Sequence, residues 1–174
     1  MQAPAPATDE LSAMPCEAFV EALDGIFEHS SWVARRAWRA RPFDGIPALH
    51  QAMLDAVMQA DPTEQLALIR AHPELAGAEA AQGTLTRAST EEQRGAGLDQ
   101  CNADELARLQ RLNTAYRERF DFPFIIAVKG LGRHQIVDAI EARLMNDRDT
   151  EIATCLREIG KIARFRLDAR YAQG

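Results

Sequence analysis

A histidine, a glutamate and an arginine stand out in the sequence as side chains that could do acid–base or ligand-binding chemistry. His72 precedes Pro73, and proline disfavours helical geometry in the residue before it, so we expect a helix to end near His72. A histidine at a helix end either caps the last carbonyls or points into a cleft. Its ordinary pKa of about 6.5 suits it to give or take a proton at neutral pH.

Glu92 closes the segment Ser89-Thr90-Glu91-Glu92, and two interpretations of it stay open. The spacing is that of a capping box, with Ser89 as the helix cap and Glu92 as its third-position partner. The same helix start presents N–H groups that favour an anion, so a substrate carboxylate or carbonyl could bind there. Gln93 follows at once, with an amide that can both donate and accept a hydrogen bond.

Arg166 falls on the apolar face of the predicted C-terminal helix. That face runs through Ile152, Cys155, Ile159 and Ile162, and Arg166 comes four residues after the last of them. A buried arginine is rare unless it is paired. Arg166 could therefore pair with an internal acid, extend its head group to solvent, or hold a substrate carbonyl or carboxylate through its planar fork.

The elements that must position these side chains are predicted to be helices. Apolar residues recur at spacings of three and four from Leu49 to Ala60, from Leu106 to Phe120 and from Ile136 to Leu144. Helix-start signals occur at Asp61-Pro62-Thr63-Glu64, at Asn102 to Glu105 and at Ser89 to Glu92. We predict an all-α, single compact domain of about eight helices over residues 11–174, after a disordered tail at residues 1–10.

Two segments interrupt the helical pattern. Residues 72–88 are long and non-periodic and contain His72, and long loops in compact domains are usually functional or disordered. Residues 121–132, DFPFIIAVKGLG, are strongly apolar and contain a proline, so we expect a buried, irregular segment. Its backbone polar groups need partners, which a bound small molecule could supply.

Composition and charge exclude several classes of protein. The net charge of −6 argues against nucleic acid as a partner, because phosphate binding requires a basic surface. Three scattered cysteines indicate a reducing compartment, and no histidine pair has the spacing of a helical metal site. The longest apolar run is too short to cross a membrane, and the N-terminus lacks the features of a secretory signal. We expect a cytoplasmic protein without a metal.

Four motifs together resemble one enzyme family. HPELAG, LTRASTEEQRGAGLD, LNTAYRERFDFPFIIAVKG and KIARFRLD are similar, in order and spacing, to the 2-oxo-4-hydroxy-4-carboxy-5-ureidoimidazoline (OHCU) decarboxylase family, over about residues 11–171. The resemblance implies an all-α, cofactor-free carboxy-lyase, usually a homodimer, that forms (S)-allantoin in urate and purine catabolism. One departure is Asp121, where the family often has glycine.

The resemblance also implies roles for particular residues. The catalytic pair would be His72 and Glu92, and it is this resemblance that favours the functional interpretation of both. The substrate-binding residues would be Pro73, Ser89, Gln93, Phe124, Ile125, Ile126, Ala127, Val128 and Arg166. The rival hypothesis is a non-enzymatic helical module that binds a protein partner, in which the same residues are helix caps and a core ion pair.

Overall fold

Helices form all the regular secondary structure in this computed structural model, which describes residues 7–171. They are α1 (Ala7–Ala13), α2 (Cys16–Ala22), α3 (Ser31–Ala37), α4 (Gly45–Met58), α5 (Pro62–Arg70), α6 (Ala78–Gln82), α7 (Arg87–Gly95), α8 (Ala103–Phe120), α9 (Arg133–Arg143) and α10 (Arg148–Tyr171), with 3₁₀ turns at Trp38–Ala40 and Leu98–Gln100. The all-α prediction is confirmed. Within residues 7–171, no helix is both long and apolar enough to cross a lipid bilayer.

Two of the three helix-start signals are confirmed. The carboxylate of Asp61 accepts a hydrogen bond from the amide of Glu64 at 2.9 Å, and α5 begins at the intervening proline. Asn102 and Glu105 form a reciprocal capping box at the start of α8, with bonds of 2.8 and 3.1 Å. In both cases the side chain satisfies an amide that the first helical turn leaves without a partner.

Two boundaries differ from the prediction. The expected loop at residues 72–88 contains α6, which ends at Gly83 in a left-handed conformation with φ of 71°. Of the predicted tail, residues 1–6 lie outside the described residues, while residues 7–10 belong to α1. Leu11 and Thr8 of that helix are buried, so packing of its apolar face holds this part of the chain in a helix.

The chain divides into two compact units. One holds the described residues up to Leu68 together with those from Gly160 onward, and the other runs from Ile69 to Ile159. The expectation of one domain over residues 11–174 stays a prediction.

The first unit is built on α1 to α4 and the last part of α10. Buried side chains from these helices, among them Phe19, Val33, Leu49 and Leu167, form its core. The rings of Phe19 and Phe43 stack with centroids 5.7 Å apart. These apolar faces have the helical spacing that the sequence showed, and their burial supplies most of the stabilisation that short helices lack on their own.

The second unit contains both irregular segments and is organised around α8. The Tyr116 ring of this helix lies 4.6, 6.0 and 5.3 Å from the rings of Phe120, Phe122 and Phe124. At the end of α8, Asp121 adopts a φ of 63°, a left-handed conformation that glycine adopts without cost. This geometry explains why a glycine is compatible with the position and why a short polar residue is tolerated there.

Candidate active site

His72 lies where α5 ends and the chain turns into an irregular loop. The helix stops at Arg70, and the amide of His72 donates to the carbonyl of Ile69 at 3.2 Å. Pro73 prevents the helix from continuing, as the sequence predicted. The side chain of His72 is buried, with 7% of the residue exposed. His72 is therefore a buried residue of the second unit. Its catalytic role, and the substrate-binding role of Pro73, stay predictions.

Gln93 of α7 binds the backbone of residues 72–77, which we call the His-Pro loop. Its side-chain oxygen accepts a hydrogen bond from the amide of Ala76 at 2.8 Å, and its side-chain nitrogen donates to the carbonyl of Glu74 at 3.4 Å. Both bonds satisfy backbone groups that have no helical partner. Gln93 therefore connects the loop that carries His72 to α7.

Asn113 of α8 binds the same loop from a second helix. Its side-chain nitrogen donates to the carbonyl of Leu75 at 2.9 Å, and the residue is buried. The loop is tightly folded here, because Ala76 has a φ of 50° and a Cβ on Gly77 would come within 2.8 Å of the Cβ of Glu74. Two buried amide side chains thus hold a loop whose backbone is partly strained.

The N-terminus of α7 corrects one prediction. The cap is Thr86, whose hydroxyl accepts a hydrogen bond from the amide of Ser89 at 3.2 Å, and the helix begins at Arg87. Ser89 is therefore the third-position residue and not the cap, and Glu92 lies in the second turn, beyond reach of a capping box. The interpretation of Ser89 as the cap and Glu92 as its capping-box partner is wrong. Anion binding at the start of this helix stays a prediction.

The three predicted residues of α7 lie close together on one part of the helix surface. Ser89 and Gln93 are one turn apart and both buried, and Glu92 is half-buried beside them. Because Gln93 bonds the His-Pro loop, this helix surface and the loop carrying His72 are neighbours in the second unit. The catalytic role of Glu92 and the substrate-binding roles of Ser89 and Gln93 stay predictions.

The apolar segment Phe124 to Val128 is irregular and largely buried, as the sequence predicted. Protein side chains already bind two of its backbone groups. The carbonyl of Ile125 accepts a hydrogen bond from Nη1 of Arg143 at 2.6 Å, and the amide of Ala127 donates to Oε1 of Glu158 at 3.4 Å. Contact of this segment with a substrate remains a prediction.

A buried polar cluster adjoins that segment and was not anticipated. Glu151 accepts hydrogen bonds from the Tyr116 hydroxyl and from Nε of Arg143, the latter at 2.8 Å. Cys155 lies beside both, 3.5 Å from the Tyr116 hydroxyl. Burial raises the pKa of the Tyr116 phenol and of the Cys155 thiol, so both groups stay protonated at neutral pH.

Arg166 belongs to the first unit and is buried there, with 7% of the residue exposed. Its guanidinium donates to Oε1 of Glu28 at 3.1 Å and to the carbonyl of Gly25 at 2.8 Å. The prediction that Arg166 points into the core is confirmed. Of the three environments that the sequence allowed for its guanidinium, the structure shows pairing with an internal acid, Glu28. Its role as a substrate ligand stays a prediction.

A cavity of about 80 Å³ lies between α8 and α9, away from the His-Pro loop and from the segment 124–128. Its charged groups neutralise one another, because Nε of Arg133 donates to Glu105 at 2.6 Å and His134 lies 3.7 Å from the same carboxylate. The ion pair lowers the pKa of Glu105. None of the residues lining this cavity is a predicted site residue.

Sequence reasoning missed Asn113, Glu28, Arg143 and Glu151. Two of them carried a signal. Asn113 lies four residues after Leu109 on the apolar face of α8, and Glu151 lies one turn before the first buried residue of the α10 stripe. A polar residue on an apolar stripe indicates a buried hydrogen bond, which is what both residues make.

The fold and the site geometry define an all-α protein. Its His-Pro loop carries a buried histidine and is hydrogen-bonded to α7, the helix that bears Ser89, Glu92 and Gln93. A profile of the OHCU decarboxylase family matches residues 12–168 of the chain. The chain therefore belongs to the OHCU decarboxylase family, and the resemblance drawn from the four motifs is confirmed.

Individual relatives agree with this assignment. The 2-oxo-4-hydroxy-4-carboxy-5-ureidoimidazoline decarboxylase of Haloferax volcanii is 40% identical over 163 residues, which are 94% of this chain and 95% of that protein. The uric acid degradation bifunctional protein of Bacillus sp. (strain TB-90) is 40% identical over 168 residues, 95% of this chain. The chain spans only 32% of the length of that bifunctional relative. A crystal structure of (S)-allantoin synthase is similar with a TM-score of 0.75 and 27% identity, over 94% of this chain and 54% of the other.

Proposed function

We propose that the protein is a cofactor-free carboxy-lyase that converts OHCU to (S)-allantoin in urate and purine catabolism. Membership of the OHCU decarboxylase family supports this activity. The structural observation that carries the proposal is the pair of hydrogen bonds by which Gln93 joins the His-Pro loop to α7. They bring the loop with buried His72 next to the helix that carries Glu92 and Ser89.

The chemistry requires no electron sink outside the substrate. The substrate has a carboxylate on a ring carbon that adjoins a C=N carbon. When the bond to the carboxylate breaks, CO₂ leaves and the bonding pair forms a new C=C bond, while the imine pair moves to nitrogen, which takes up a proton. The enediamine-like ring then gains a proton at the former imine carbon, while its hydroxyl loses a proton and becomes the carbonyl oxygen of a ring amide. One proton is consumed overall, and protonation on one face sets the (S) configuration.

In this scheme His72 is the acid–base group, and a carboxylate at Glu92 orients the imidazole or stabilises its protonated form. General acid–base catalysis of this kind contributes about 10²- to 10⁴-fold to a rate. Burial of His72 supports the role, because an enclosed imidazole exchanges protons with a bound ligand in place of bulk water.

The proposed substrate-binding groups are Pro73, Ser89 and Gln93, the backbone of residues 124–128, and Arg166. The buried position of Ser89 and the irregular backbone of 124–128 support hydrogen bonding to a polar ring. For Gln93, one amide proton remains for a ligand after its bonds to the loop. For Arg166 the support is the family resemblance, beside its described pairing with Glu28.

The test is the optical activity of the product. OHCU generated freshly from urate also decays without a catalyst, and that decay gives racemic allantoin. We therefore follow the circular dichroism of allantoin with and without the protein. A signal of the (S) enantiomer that grows in proportion to protein concentration is the expected result. A racemic product at the uncatalysed rate contradicts the proposal.

The alternative of a non-enzymatic interaction module is not favoured, because the family to which the chain belongs is one of decarboxylases. The two hypotheses differ in ligand binding. An enzyme of this kind should be stabilised by its product, so saturating (S)-allantoin should raise the melting temperature. A protein-binding module should melt at the same temperature with and without allantoin.

We further propose that the protein is a cytoplasmic homodimer with no nucleic-acid or membrane partner. The net charge of −6 supports the exclusion of nucleic acid. Light scattering after gel filtration measures the mass directly, and a monomer at micromolar concentration would contradict the dimer.

A further inference from the structure

Arg143, a partly buried arginine at the end of α9, binds the segment 124–128 in two ways. Its Nη1 donates to the carbonyl of Ile125 at 2.6 Å, and its Cζ lies 4.3 Å from the centre of the Phe124 ring. The side chain is 11% exposed. A charge-assisted hydrogen bond and a cation–π contact thus hold the first two residues of the segment.

Glu151 of α10 fixes the orientation of that guanidinium. It accepts the Nε proton of Arg143 at 2.8 Å and is fully buried, with none of its side chain exposed. It also accepts from the Tyr116 hydroxyl and from the side-chain amide of Asn146, the latter at 2.9 Å. Glu151 accepts three donors, one of which is Nε of Arg143. This network holds the guanidinium of Arg143 in one orientation relative to α8 and α10.

A buried ion pair adds little net stability over an apolar pair, because both charges lose their hydration, whereas it does favour one arrangement of its partners. The segment 124–128 forms neither helix nor sheet. The carbonyl of Val128 accepts a turn hydrogen bond from the amide of Leu131 at 2.9 Å, and side chains bind other backbone groups of the segment. Arg143 supplies one of these side-chain bonds, and Glu158 supplies another.

We propose that Arg143, oriented by Glu151, is a positioning residue that holds the backbone of residues 124–128 in the conformation that binds the substrate ring. The inference rests on the proposed function, because it takes this segment to be a substrate contact. Arg143 acts through the backbone of Ile125 and the ring of Phe124, without touching the reacting atoms itself.

The test compares Arg143→Lys with a matched control. Lysine keeps the positive charge but lacks the planar fork, so it cannot bond Glu151 and the Ile125 carbonyl together in the observed geometry. The control is Arg108→Lys, in an exposed ion pair with Glu141 that makes no contact with the segment. Two quantities are measured: amide hydrogen exchange across 124–128, and KM and kcat separately.

We expect Arg143→Lys to speed exchange in residues 124–128 by about tenfold and to raise KM by about tenfold, which is about 1.4 kcal/mol of binding, with kcat changed by less than about threefold. Arg108→Lys should match the wild type in both measurements. Wild-type exchange and KM in Arg143→Lys would overturn the proposal. So would faster exchange spread evenly over residues 69–159, which would mean a general loss of stability.

If Arg143→Lys does not fold, Tyr116→Phe tests the same point more gently, because it removes one donor to Glu151 and leaves the ion pair in place. We expect about threefold faster exchange, confined to 124–128, and unchanged exchange there would overturn the proposal.

Hydrogen exchange does not depend on turnover. A wild-type protein that makes no optically active allantoin would refute the proposed function, whereas the exchange comparison would still decide whether Arg143 holds the segment.

Discussion

Replacing Gln93 with alanine would remove both side-chain hydrogen bonds between α7 and the His-Pro loop. The amide of Ala76 would lose its acceptor at 2.8 Å in a buried site. An unsatisfied buried group of this kind costs about 1–3 kcal/mol. The second bond, to the carbonyl of Glu74, is long at 3.4 Å and contributes about 0.5 kcal/mol. We therefore expect a loss of about 1.5–3.5 kcal/mol in the free energy of unfolding.

Thermal unfolding followed by far-ultraviolet circular dichroism measures this loss. For a chain of this size, 1 kcal/mol corresponds to about 2–4 °C, so Gln93→Ala should lower the melting temperature by about 3–14 °C. Gln93→Glu keeps an oxygen that can accept from Ala76 and should recover part of the difference. Gln110→Ala, at an exposed glutamine of α8, is the control and should leave the melting temperature within about 1 °C of the wild type.

The same variant separates two roles of Gln93. If its amide holds the loop that carries His72, then Gln93→Ala lowers stability and kcat together. If its amide serves only to bind substrate, then KM rises while the melting temperature stays unchanged. The second result would refute our account of how the His-Pro loop is held.

Two further predictions concern charged residues. Arg133 lowers the pKa of Glu105 below its ordinary 4.5. The ionised carboxylate therefore stabilises the fold above pH 4.5, and this contribution is lost as the pH falls through the lowered pKa. Glu105→Gln should lower the melting temperature more at about pH 7 than at about pH 3, and an equal loss at both would contradict this. Arg166→Lys should weaken substrate binding by about tenfold and lower the melting temperature, because lysine loses the fork that donates to Glu28 and Gly25. Arg164→Lys, on the flank of the same helix, is its control, and unchanged substrate affinity in Arg166→Lys would exclude a bidentate contact.

Local signals in the sequence predicted most of the helical framework. The capping box of Asn102 and the proline after Asp61 each involve residues within one turn, so their geometry is set by neighbours in the chain. The burial of Arg166 followed in the same way from the period of its helix. Periodicity could not identify its partner, Glu28, because the two residues are 138 positions apart.

The start of α7 shows where local reasoning was insufficient. Thr86 and Ser89 are both good caps, and the sequence pattern Ser89 to Glu92 favoured the later one. In the folded protein Thr86 is the cap, and the earlier start leaves Ser89 and Gln93 on a buried face. That choice depends on tertiary packing and on the bond from Gln93 to the His-Pro loop, which no local pattern encodes.

The buried cluster beside residues 124–128 was hidden for the same reason. Arg143, Glu151 and Tyr116 come from three different helices, and the position of Glu151 on an apolar stripe indicates a buried bond without identifying its partners. Only their meeting in the folded chain shows that an irregular segment is held by an ion pair. The sequence correctly indicated that the segment is buried and irregular, but not what satisfies its backbone.

The most direct test of the central claim is the enantiomeric excess of allantoin formed by His72→Ala. The matched control is His134→Ala, at an exposed histidine, and far-ultraviolet circular dichroism checks that both variants keep their helices. We predict that the wild type and His134→Ala give (S)-allantoin, whereas His72→Ala gives a racemic product at the uncatalysed rate. Undiminished formation of (S)-allantoin by a folded His72→Ala protein would contradict the assignment of His72 as the acid–base group.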